Sequence, residues 1–165
     1  MKRHRFQPSL NDVLEDRIAL SHAGTAHVAL AHPKPTPKGQ PILKSSTLND
    51  VNHKIDQAFA QFNKDYTKEI VKLDRSGNDA RFQSDFSGSV NKLKLTLDKQ
   101  ATRIPGGAQN LAAALNARVD SLVKDLTTNK TASSVDLIQS DRSGAHADVS
   151  TFIHDEVSKG DFSVK

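Results

Sequence analysis

Asp74-Arg75-Ser76-Gly77 recurs as Asp141-Arg142-Ser143-Gly144, sixty-seven residues further along the chain. The apolar positions around the tetrapeptide recur at the same offset. Ile55 and Phe59 align with Leu122 and Leu126, and Ile70-Val71 with Leu137-Ile138. Beyond it, Phe82, Phe86 and Val90 align with Val149, Ile153 and Val157. A shared offset between a turn-like motif and its flanking stripes reads as an internal repeat. Each unit reads as helix, tight turn, helix, with Gly77 and Gly144 as the left-handed residues that end the leading helices.

Working outward from Gly77, the preceding stripe is helical. Leu48, Val51, Ile55, Phe59, Phe62, Tyr66, Ile70 and Leu73 follow at spacings of three and four. Thr47 with Asp50 has the outline of a capping box, so this helix is expected to start near Thr47 and to run for about 26 residues, ~39 Å. Asn78 or Asp79 caps a second helix, which carries Phe82, Phe86, Val90, Leu93, Leu97 and Ala101. Ile104-Pro105-Gly106-Gly107 stops it. A third helix begins near Ala108 with Leu111, Leu115, Val119, Leu122 and Leu126. The polar run Asn129–Ser134 is expected to kink or fray it before Val135, Leu137 and Ile138 resume. A short fourth helix is expected over roughly 145–158. The fold class is therefore all-α: an antiparallel four-helix bundle made of two tandem helical hairpins, spanning 47–160, with repeat units of about 47–103 and 108–160. The alternative is an extended pair of hairpins that completes its core by dimerising in coiled-coil fashion.

Composition agrees. Aromatic residues are 5% and hydrophobic residues 36% of the 165, a thin core that suits packed helical stripes. Residues 22–46 read as a flexible linker with Pro33, Pro35, Pro37 and Pro41, an extended, solvated stretch. Residues 1–47 carry seven Lys/Arg against three Asp/Glu, and residues 48–165 carry sixteen of each. The basic balance is thus a property of the front of the chain, and the helical region has no excess charge with which to hold nucleic acid. No apolar run approaches the ~18 residues of a transmembrane span. The absence of Cys excludes disulfides, thiolate metal sites and Cys nucleophiles.

Chemistry-bearing patterns are sparse. Asp74, Ser76, Asn78 and Asp85 fall at calcium-loop positions, but Asp79 stands where that loop needs Gly, and the second copy has Ala145 and Phe152 at two ligand positions. The turn reading wins. His22, His27 and His32 recur every five residues in the linker, which suits no single helix face. Asp50, His53 and Asp56 lack the Glu-x-x-His context of bundle metal sites. No nucleophile elbow or phosphate-binding glycine loop is present. The chain is therefore read as a non-catalytic protein with no catalytic residues, no metal ligands and no cofactor. One local basic patch stands out between Val90 and Ile104: Lys92, Lys94, Lys99 and Arg103 against Asp98. It is the candidate anion patch, able to touch phosphates or, peripherally, a membrane surface.

The first 21 residues form a separate segment. Arg3-His4-Arg5-Phe6-Gln7-Pro8-Ser9-Leu10, followed by Leu14-Glu15-Asp16-Arg17-Ile18-Ala19-Leu20-Ser21, resembles the bacterial LEPR-XLL-type N-terminal segment. Arg3, Arg5, Pro8, Leu14, Glu15, Arg17 and Leu20 carry the resemblance. Asp16 and Ala19 depart from it, at the name-giving Pro and the first Leu of the pair. The resemblance implies a sorting role for residues 1–21 and an extracytoplasmic or secreted destination, with a cytoplasmic one as the alternative. The repeated hairpin, the neutral helical region and the lack of a catalytic set point instead to action through protein–protein contact, with a second copy or an envelope partner. The competing function is salt-sensitive binding of anionic polymers or membrane surfaces through the basic tail and the Val90–Ile104 patch.

Overall fold

The computed structural model describes residues 39–128, 130 and 134–165. The sorting-like segment, His22, His27, His32 and the prolines up to Pro37 lie outside the described residues. Within them the order is β1 (Ile42–Leu43), α1 (Ser45–Ser76), α2 (Asp79–Ala101), α3 (Asn110–Thr128), α4 (Val135–Lys159) and β2 (Ser163–Val164). The helices pack as a ring: α1 on α2, α2 on α3, α3 on α4, and α4 back on α1. Cross-links set neighbours antiparallel. Asp50 near the start of α1 meets Arg103 just past the end of α2. On the α1–α4 seam Asn52 meets His146, and Asp56, four residues further along α1, meets Arg142, four residues back along α4. The protein is an all-α antiparallel four-helix bundle whose core closes within one chain.

Each stripe turns inward because its apolar residues repeat near the helical period. Val51, Ile55, Phe59, Phe62, Tyr66 and Ile70 of α1 are buried, as are all six stripe residues of α2 and all five of α3. The aromatics gather between α1 and α2. Phe82 stacks on Phe86 at 5.4 Å between ring centroids, and Tyr66 meets Phe86 edge-on at 5.7 Å. Helix α4 contributes least: Ile138, Ala145 and Val149 are buried, while Val157 is 39% exposed.

The first turn forms as read. Gly77 adopts φ 63°, its N–H donates to the Leu73 carbonyl at 2.7 Å, and Asn78 Oδ1 accepts from Arg81 N at 3.0 Å. The second copy of the tetrapeptide does not form a turn. Asp141-Arg142-Ser143-Gly144 lies inside α4, which runs unbroken for 25 residues. Gly144 has no positive φ. The physical reason follows the glycine in sequence. Asn78 caps the new helix in the first copy, whereas Ala145 holds the matching place in the second and has no group to cap with. The break comes instead between Thr128 and Val135, so α3 is shorter than expected and α4 longer.

The start of the bundle also differs. Helix α1 has 32 residues, ~48 Å, and begins at Ser45, two residues ahead of Thr47. Thr47 is inside the helix. Ile42-Leu43, at the end of the stretch read as linker, pairs in parallel with Ser163-Val164. Ser45 Oγ donates to the Lys165 carbonyl at 2.8 Å, and Lys165 N donates to the Leu43 carbonyl at 3.0 Å. Leu43 and Phe162 are both 2% exposed, so the ribbon adds a lid of apolar side chains to that end of the core. No described helix is long and apolar enough to cross a membrane.

Candidate functional site

The four residues of the sequence-derived anion patch do not share one surface. Lys94 turns toward α3 and pairs with Asp120. Arg103 pairs with Asp50 at 2.6 Å, and this bond holds the Asp50 carboxyl below the ordinary carboxylate range. Lys92 faces the groove between α1 and α2, beside Asp65, Lys68 and Asp85. Lys99, in the last turn of α2, is exposed. Two of the four charges are therefore neutralised by carboxylates on other helices.

Further charges fasten the α3–α4 and α1–α4 seams. Arg118 of α3 donates from Nε and Nη2 to the two carboxylate oxygens of Asp148, at 2.7 and 3.0 Å. Its Nη1 reaches Asp141 at 3.4 Å. Burial pushes the Asp141 carboxyl above its ordinary value despite that contact. On the α1–α4 seam, Asp56 accepts from Arg142 at 3.0 Å and meets His146 Nε2 at 2.8 Å, while His146 Nδ1 lies 3.2 Å from Asn52 Oδ1. His53 turns away to Gln57. Asp50, His53 and Asp56 thus point to three different partners and do not converge. Among the described residues, no group of three or more His, Cys, Asp or Glu is placed to hold a metal ion. The calcium-loop positions also separate: Asn78 caps α2, and Asp85 pairs with Lys72 and Arg81.

Three cations of α1 among the described residues are also uncommitted and stand together. Lys64, Lys68 and Arg75 line the outer face of α1 together with Val71. All three cations are exposed, and Val71 is 41% exposed. They stand at i, i+4, i+7 and i+11 with Val71 third, so they form one straight stripe roughly 16 Å long. Lys72, beside them, bonds Glu69 at 2.6 Å and lies 3.5 Å from Asp85. The Glu69 bond raises the Lys72 ammonium above its ordinary value. Sequence reading missed this stripe although its spacing is plain in the text. The run Lys64–Arg75 also contains Asp65, Glu69 and Asp74, so it looks balanced until the acids are sorted by face. Asp65 bonds Gln61, Glu69 is 7% exposed and bonded to Lys72, and Asp74 alone of the three is exposed without a partner, at the Arg75 end of the stripe.

No protein-family model, no curated protein and no solved structure matches the chain.

Proposed function

We propose that this protein is a non-catalytic, extracytoplasmic helical module that works by protein–protein contact. The observation that carries this reading is the division of its charges. The polar side chains in the α1–α4 and α3–α4 seams bind one another and fasten helices together. Lys64, Lys68 and Arg75, left without such partners, stand together on the outer face of α1, a placement suited to docking against another surface. The extracytoplasmic part rests on the resemblance of residues 3–21 to a sorting segment, and a Pro-rich stretch behind it supplies a spacer.

Two measurements test the proposal together. N-terminal sequencing of the native protein from separated cell fractions reports location and processing. Light scattering and cross-linking on the envelope fraction report association. A strictly monomeric protein without a cross-linked partner overturns the contact reading.

A second reading, salt-sensitive binding of anionic polymers or membrane surfaces, is favoured by one observation. Lys92 lies across the α1–α2 groove from Lys68, and Lys99 is exposed seven residues further along α2. Retention on heparin or anionic vesicles that falls steeply with salt supports it, and salt-independent retention removes it.

A further inference from the structure

We infer that the outer face of α1 from Lys64 to Arg75 docks an acidic helical segment of a different protein. This rests on the contact reading above and names the surface and the partner's chemistry.

Three observations lead here. First, Lys64, Lys68 and Arg75 have no ion pair or side-chain hydrogen bond among the described residues, whereas Lys72, Lys94, Arg103, Arg118, Lys130 and Arg142 are all paired. Second, the spacing of four, three and four residues is the seam along which a second helix can lie side by side with the first. Gln57 and Gln61 continue it toward the start of α1, with Gln61 donating to Asp65 at its edge. Third, Val71 provides one exposed apolar contact at the middle of the stripe. A matching partner carries carboxylates at the same spacing with an apolar residue opposite Val71.

Charge also excludes other occupants. A two-fold pairing of this face with itself sets Lys and Arg against Lys and Arg, and like charges repel at close range. Residues 1–38 carry six Lys/Arg against three Asp/Glu, so the chain's own front segment lacks complementarity. A bilayer surface needs a broad apolar face to insert, and Val71 is a single residue. Duplex DNA gains little from three cations.

The test uses the full chain and a labelled peptide of about three heptads, with Glu at the positions facing the stripe and one Leu facing Val71. Binding is read by fluorescence anisotropy at low and physiological salt, beside short duplex DNA and phosphatidylglycerol vesicles. The expected result is peptide binding that weakens with salt and falls about tenfold in the Lys64→Gln/Lys68→Gln/Arg75→Gln variant. The Lys92→Gln/Lys99→Gln variant binds as the natural chain does. Circular dichroism confirms that both variants keep their helix content, since all five side chains are exposed. Equal peptide binding by the triple variant overturns the assignment of this face while leaving the contact reading in place. Tighter binding of DNA or vesicles than of peptide, lost in the triple variant, overturns the partner class. No peptide binding at low salt overturns the inference outright.

Discussion

The guanidinium of Arg118 on α3 occupies the space that a side chain at Gly144 on α4 would fill. A Cβ at position 144 would lie 2.0 Å from Arg118 Nη1 and 2.4 Å from its Cζ. The glycine that reads as a helix terminator is therefore a slot that lets a charged clamp cross to Asp148. This gives a sign reversal that stability measurements can check. In the natural background Gly144→Ala displaces the guanidinium from its two-pronged bond and is expected to destabilise by on the order of 1 kcal/mol, because loss of a charge-assisted bond outweighs the gain in helix propensity. In an Arg118→Ala background the same change is expected to stabilise by up to about 1 kcal/mol. The same sign in both backgrounds contradicts the slot.

Phe86 stands at the centre of the aromatic group, within 6 Å of the rings of Phe62, Tyr66 and Phe82. Truncating it leaves a cavity that helix backbones cannot readily collapse into. Phe86→Ala is expected to cost on the order of 3–5 kcal/mol in urea unfolding, and Phe59→Ala, 1% exposed, a similar amount. Losses below about 1 kcal/mol for both place these rings outside a packed core.

Two glycines of the α1–α2 hairpin should respond in opposite directions. Gly77 holds φ 63°, a conformation that costs any L side chain roughly 1 kcal/mol, so Gly77→Ala lowers the melting temperature. Gly88 sits within α2 at ordinary helical φ, with open space where its Cβ would be. Gly88→Ala is expected to raise stability by about 0.5–1 kcal/mol. Thermal melts of the two variants side by side suffice.

Asp50 and Asp141 should give pH dependences of opposite slope. The bond to Arg103 lowers the folded pKa of Asp50 below its unfolded value. Its contribution is present above the ordinary carboxylate range and is lost as pH falls through the lowered value. Burial raises the folded pKa of Asp141, so its contribution is present in acid and is lost as pH rises through the raised value. The cost of Asp50→Asn is therefore expected to grow from about pH 3 to pH 6, and that of Asp141→Asn to shrink. Urea unfolding at several pH values distinguishes the two. Parallel slopes contradict the assigned environments.

The helical stripes were legible because 3.6-residue periodicity survives without any knowledge of partners. Of the nineteen stripe residues from Leu48 to Leu126, seventeen are buried, and Leu48 and Leu73, near the two ends of α1, are half-buried. The second connection was misplaced for a local reason. A glycine ends a helix only when the following residues can start another, and Ala145-His146-Ala147 offer no cap. The polar run Asn129–Ser134 carried the true signal, six weak helix formers in succession. The β1–β2 ribbon was invisible because two-residue strands have no period to detect, and their pairing is set by the ends of the bundle. The α1 cationic stripe was obscured by three acids interleaved with it in sequence, of which Glu69 is buried against Lys72 and Asp65 is bonded to Gln61.

The β1–β2 ribbon joins positions such as Ser45 and Lys165, which are 120 residues apart. A ribosome releases β1 long before its mate exists, so local hairpins can form during synthesis while this closure waits for residues 162–165. The tie between α1 and α4 is then the closing step of this bundle. A nascent chain halted short of Phe162 would hold its four helices with one end of the interior still uncovered.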